Sequence, residues 1–179
     1  MRRHASILLV AIFGLCFSAS ALAQMVWSQR TGPHRVLLYK EAGRDSYYCT
    51  WVINLDPGYA AFDLIAQRPL MFRIFWKKEA AEGMPDKGYL HAIVDGADFP
   101  FLYSKLHRDL QIEAVGEFVG IGQRTPNELW SMLAKAQSFR VYLPSGQFAD
   151  AQMTGFAEAI ALVNRCTGEA ATLNKSAAK

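Results

Sequence analysis

Cysteine is scarce in this chain: three occur in 179 residues, Cys16, Cys49 and Cys166, and no two of them form a C-x-x-C pair. That spacing excludes a thioredoxin-like redox motif, which needs a close thiol pair, and a zinc site built from neighbouring cysteines. Basic runs are short too, none longer than Lys77-Lys78 once the first residues are set aside. The chain therefore lacks the basic stripe on which nucleic-acid binding depends, and nucleic acid is excluded as a partner. There is no G-x-S-x-G elbow, no H-E-x-x-H pair and no P-loop; "GIGQRT" (120–125) resembles a dinucleotide fingerprint only superficially, its Gly120 and Gly122 shaping a turn. No internal repeat or low-complexity insert is visible.

Beyond residue 23 the chain also has no apolar stretch near the ~20 residues that span a bilayer. Before it, Arg2 and Arg3 precede a short apolar run from Ile7 to Phe17, and Ala21-Leu22-Ala23 offers small residues at a cleavage site. This pattern predicts a secretory signal over residues 1–23, with the mature chain beginning at Gln24 and no transmembrane segment left after removal. A retained anchor and a lipoprotein signal acylated at Cys16 are the alternatives; Phe13-Gly14-Leu15 lacks the small residue that a lipoprotein signal carries just before its cysteine. The whole-chain formal charge of +3 owes two of its positive residues to this segment, so the remainder is close to neutral. Residues 24–166 are expected to form one domain, and the small, polar stretch 167–179 a frayed tail.

Export would place the two remaining thiols where disulfides persist. In "SYYCTWVINL" (46–55) alternate positions put Tyr47, Cys49, Trp51, Ile53 and Leu55 on one buried strand face. In "GFAEAIALVNRC" (155–166) Phe156, Ala159, Ile160, Val163 and Cys166 recur at spacings of three and four, the inward stripe of a helix. Both sulfurs face inward, so a Cys49–Cys166 bridge between helix and sheet is expected, with two free buried thiols and metal ligation as the other readings. Closing so long a loop is worth about 5 kcal/mol as an upper figure in the chain-entropy account.

Alternating or short apolar runs at 34–41, 59–66, 69–78, 89–94, 108–115, 138–143 and 147–152 read as further strands, separated by turn residues such as Asp56-Pro57-Gly58 and Pro144-Ser145-Gly146. "TPNELWSMLAKAQ" (125–137) reads as a helix with Thr125 as N-cap, Pro126 at its first position and Glu128 completing a capping box. Strands early and helices late predict an α+β domain: an antiparallel sheet with two late helices packed on one face.

Candidate chemistry is thin. His34, His91 and His107 could converge with Asp95 or Asp98 as a metal or acid/base cluster, but their spacing supplies no helical i, i+4 pair, so surface histidines are the plainer reading. "VDGADFP" (94–100) reads as a solvated turn rather than a calcium loop, and Ser145 as a turn residue rather than a nucleophile. No catalytic, metal or cofactor residue is assigned. Aromatic residues are the surplus: Tyr48, Phe75, Phe99, Phe101 and Tyr103 are candidates for an exposed partner-binding patch, against the alternative of a two-sided core.

The segment from Ser138 through Cys166, two short strands around a turn and then "MTGFAEAIALV", resembles the C-terminal end of small exported proteobacterial proteins of the invasion-associated locus B type. The resemblance implies an envelope or secreted accessory protein tied to host interaction and transfers no catalytic residue. The expectation is a periplasmic or secreted, non-catalytic protein that binds another protein or a cell-envelope component. The alternatives are a small exported hydrolase with a dispersed site and a carrier of an apolar small molecule.

Overall fold

The computed structural model describes residues 23–56, 58–65, 70–77, 83–107, 111–118, 124–143 and 145–177, with side chains for all but 77, 106, 107 and 111–115. The expected signal segment with Cys16 (apart from Ala23), the Gly120 and Gly122 turn and the His107 side chain lie outside the described residues. The strands are β1 Gln24–Thr31, β2 His34–Lys40, β3 Tyr47–Asp56, β4 Tyr59–Leu64, β5 Met71–Lys77, β6 Lys87–Val94, β7 Ala97–His107, β8 Gln111–Phe118, β9 Phe139–Tyr142 and β10 Phe148–Ala151; the helices are α1 Pro126–Leu133 and α2 Phe156–Ala177.

Eight of these strands close on themselves in the order β3-β10-β9-β6-β7-β8-β5-β4, with β4 returning to β3, and every pairing is antiparallel. The fold is therefore a β-barrel, which overturns the expected open α+β sheet carrying both helices on one face. Closure rests on the length of β3. One edge of it is shared, residues 47–52 pairing with β2 and residues 55–56 with β10, while β4 takes the other edge. Strands β2 and β1 thus peel away from the barrel as a two-stranded flap.

Local chemistry sets the turns. Asp95 (φ 47°) and Gly96 (φ 82°) both have positive φ and join β6 to β7 in a two-residue hairpin, the conformation that Asp-Gly favours. The barrel is filled rather than hollow. Trp51, Phe62, Phe72, Phe101, Phe139 and Leu90 point inward and are buried, with ring centroids 4.6 Å apart for Phe62–Phe72 and 4.9 Å for Phe72–Phe101. Each such ring contributes roughly 1.5–3 kcal/mol by leaving water. Gly116 on β8 makes room for them, because a Cβ there would lie 2.9 Å from the Cβ of Phe101. Apolar residues face in and most charged ones face out, the reverse of a barrel whose wall meets lipid. Among the described residues no helix is long and apolar enough to cross a membrane.

The helices seal two openings. Half of the predicted capping box of α1 forms: Thr125 accepts from the Glu128 N–H at 3.1 Å with Pro126 at the first position, while the Glu128 carboxylate pairs with Arg124 rather than reaching back to the cap. This short helix lies over the mouth where β8 ends and β9 begins; Leu129 and Leu133 are buried, and the Trp130 ring sits 5.3 Å from Phe62 and 5.9 Å from Trp51. Helix α2 fills the wedge beneath the β1–β2 flap with Phe156, Ala159, Val163, Cys166 and Ala170. It continues through Ala177, so the stretch expected to fray after Cys166 is helical.

Candidate functional site

Of the five aromatics expected at a partner surface, Phe99, Phe101 and Tyr103 are buried inside the barrel. They alternate along β7, which starts directly after the Asp95-Gly96 turn, so all three point the same way, inward; the Tyr103 hydroxyl donates to the Pro85 carbonyl at 2.8 Å. Tyr48 and Phe75 lie half-buried on the outer wall, each stacked on a neighbour: Tyr39 at 5.4 Å and Tyr59 at 4.5 Å. The five do not form one patch.

A different row of aromatics does. On the outer wall His91 of β6 faces Tyr142 of β9, and Tyr142 faces Phe148 of β10, while Tyr89 of β6 faces Leu102 of β7. Tyr89 and His91 rings are 6.5 Å apart, and Tyr142 and Phe148 rings 5.8 Å. Tyr89, Leu102 and Phe148 keep 45%, 49% and 48% of their surface exposed, far more than an aromatic or leucine needs for fold stability. The sequence carried a signal for this row. Reading Phe139, Val141 and Leu143 as the inner face of a strand assigns Tyr142 to the outer one.

The row has a charged border. Arg140 forks onto Asp150 (Nε to Oδ1 2.5 Å, Nη2 to Oδ2 2.8 Å) and lies over the Phe148 ring at 4.2 Å. Those hydrogen bonds hold the Asp150 carboxyl below the usual carboxylate range. Asp56 of β3 stands opposite Asp150, and Asp98 meets the His91 Nδ1 at 2.9 Å. Among the described residues, Asp56, Asp98, Asp150 and Glu117, which faces Leu102, stand against Arg140 and Lys87, two residues before Tyr89, so the border is net negative.

Of the histidine and carboxylate candidates, the described residues bring only His91 and Asp98 together, as a half-exposed pair on the outer wall; His34 and Asp95 lie elsewhere. His34 is buried on β2, its Nε2 3.1 Å from the Thr154 carbonyl and its ring edge-on to Phe156 at 4.6 Å. Burial pushes its imidazole below the usual range, against the Thr154 and Gln152 carbonyls and Glu158, which favour the charged form. Asp95 accepts from the Gln137 and Ser138 backbone N–H groups and the Ser138 hydroxyl, clamping the connection between α1 and β9. That pins its carboxyl low, the Ser138 N–H foremost. The "VDGADFP" turn is thus a hairpin with a structural carboxylate. Among the described residues no three His, Cys, Asp or Glu side chains could hold a metal, and Ser145 is exposed in the β9–β10 turn.

The outer wall of β2–β5 carries an open groove of about 390 Å³, with Arg30, Arg35 and Arg73 among its walls and Tyr39, Tyr59 and Phe75 beside them. Arg73 forks onto Asp63 (2.6 and 2.7 Å), which also accepts from the Thr50 hydroxyl at 2.7 Å. A smaller, apolar hollow of about 270 Å³ lies between α1 and α2, lined by Leu64, Leu70, Trp130 and Ala170. Cys49 and Cys166 are bonded, with Cα atoms 6.1 Å apart and a loop of 117 residues between them. A disulfide of this kind fits an oxidising, extracytoplasmic compartment. No protein-family model, no curated protein and no solved structure matches the chain.

Proposed function

We propose that the protein is exported to the periplasm or beyond and acts there as a non-catalytic recognition protein, binding a partner protein through the aromatic row on β6, β7, β9 and β10. The observation that carries this reading is the contiguity of Tyr89, Leu102, Tyr142 and Phe148 on a rigid sheet wall. Rigid amphipathic rings lose little side-chain entropy on contact, which is why they dominate binding energies. Arg140 is already oriented by Asp150, so a partner need not order it. The acidic border selects a partner whose apolar hollow has a basic rim, through faster encounter and rejection of acidic surfaces. The signal-like segment, the disulfide and the resemblance to invasion-associated locus B proteins all support an envelope or secreted setting.

The rivals have less support. A carrier of an apolar small molecule between sheet and helices needs an enclosed cavity, whereas the barrel interior is occupied by its own rings and the apolar hollow between α1 and α2 is open to solvent. A hydrolase needs an oriented base in a cleft, whereas the His91–Asp98 pair is exposed on a convex wall. The test is a photo-crosslinking residue placed at position 148 in cells that make the protein. The expected result is a discrete adduct that disappears when Tyr142→Ala and Tyr89→Ala are added. An equal yield from a crosslinker at position 175, on the far end of α2, or no adduct at all, overturns the proposal.

A further inference from the structure

The groove on the opposite wall is built differently, and it does not depend on the aromatic row. Leu37, Thr50 and Ala61 form part of its floor and are only 5%, 2% and 1% exposed, although they lie on the outside of the barrel. The side chains around them stand up as walls. Three of those are arginines, and among the described residues no carboxylate lines the groove, since Asp63 sits beneath Arg73 and its charge is matched there. Arg30 and Arg35 are direct cross-strand partners in the β1–β2 flap. Like charges in that position repel and destabilise the pairing. Among the described residues neither forms an ion pair, and Arg35 is held only by its Nε donating to the Ser28 hydroxyl at 2.6 Å. Such a pair is relieved by an anion lying between the two guanidinium groups, whose planar forks match carboxylate oxygens two by two.

We propose that this groove binds an acidic saccharide chain, with a uronate carboxylate held between Arg30 and Arg35 and sugar rings lying against Tyr39 and the Tyr59–Phe75 stack. The ring faces carry negative charge density and attract the weakly positive C–H face of a pyranose. Asn54 supplies an amide donor and acceptor for hydroxyls. An acidic peptide fits less well, because β2, β3, β4 and β5 beneath the groove have ladders on both edges and, among the described residues, only the outer edge of β1, at the rim, is free for a peptide backbone. A bilayer surface is flat and cannot reach a recessed floor. The basic patch is also too small for a nucleic-acid backbone.

Calorimetric titration of the full chain with a galacturonate octasaccharide tests this at physiological ionic strength, about 0.15 M. Saturable binding is expected, weakened about tenfold or more by Arg30→Gln or Arg35→Gln, the scale of a lost charge-assisted hydrogen bond. Both arginines are exposed, so neither change disturbs the core. Tyr59→Ala should weaken binding without altering charge, and Arg44→Gln, an equal charge change outside the groove, should leave it intact. Four results overturn the proposal: no saturable binding, equal binding of a neutral maltooctaose, equal binding of polyglutamate, or an equal loss in Arg44→Gln.

Discussion

The side-chain amide of Asn174 makes both backbone hydrogen bonds of Tyr47, its Oδ1 accepting from the Tyr47 N–H at 2.6 Å and its Nδ2 donating to the Tyr47 carbonyl at 3.1 Å. It does for the start of β3 what a neighbouring strand's peptide would do. One turn and more earlier on α2, Glu169 accepts from the Trp27 indole at 2.7 Å, so the helix end is tied to β1 and β3 alike. Asn174→Ala leaves a partly buried peptide group unpaired, and urea unfolding should show a loss of about 1–3 kcal/mol. Deleting residues 167–179 should cost more. Unchanged stability in both would mean that the last turns of α2 contribute nothing.

That tie was illegible in the sequence for a physical reason. The stripe that ends at Cys166 is apolar and periodic, so its inward face could be read off, and the bridge to Cys49 with it. The attachments beyond it are made by Asn174 and Glu169, polar residues in a small-residue stretch, where pattern gives no sign of a partner more than a hundred residues away. The strands show the same division. Trp51, Phe72 and Val141 sit on faces that alternation predicts, and the Thr125 cap forms as its spacing requires. Barrel closure depends on β3 meeting both β4 and β10, a long-range pairing without a local signature. Phe99, Phe101 and Tyr103 alternate after an Asp-Gly turn, which is a strand signal in itself; once β7 is missed, their rings look like surplus surface aromatics.

The Cys49–Cys166 bridge joins the central strand of the flap and barrel to the helix that fills the wedge between them. Cys166→Ser should lower stability by roughly 2–5 kcal/mol, the usual loss on removing a native disulfide. Thiol titration of the native, non-reduced protein should find neither cysteine reactive, and recovery of two free thiols would contradict the bridge.

His34 gives the fold a pH dependence whose sign is fixed by its burial. Its folded-state pKa lies below the ordinary value of about 6.5, so between the two values the unfolded chain binds more protons than the folded one. Stability is then complete above about pH 6.5 and declines as the pH falls from there toward the folded value. The lowered carboxylates, Asp45, Asp95 and Asp150, act only in a more acid range. Unfolding measured from pH 7.5 down to pH 5 should therefore show a slope that His34→Gln reduces. An identical slope in that variant would assign the effect to another group.

Phe101 and Phe148 separate the two uses of aromatic residues in this chain. Phe101 is enclosed, with Phe72 at 4.9 Å and Phe118 at 5.4 Å, and Gly116 leaves it no space to shift into. Phe101→Ala should cost about 3–5 kcal/mol, the transfer of the ring plus the cavity it leaves. Phe148 is half exposed and touches mainly Tyr142 and the Arg140 guanidinium. Phe148→Ala should change stability by no more than about 0.5 kcal/mol, as surface substitutions do, while abolishing the partner adduct formed from a crosslinking residue placed instead at position 102, in the same row. Thermal unfolding and crosslinking of the same two variants decide the matter together. If Phe148→Ala unfolds the protein as readily as Phe101→Ala does, the outer row is a structural feature of the wall, and its exposure carries no argument for a partner.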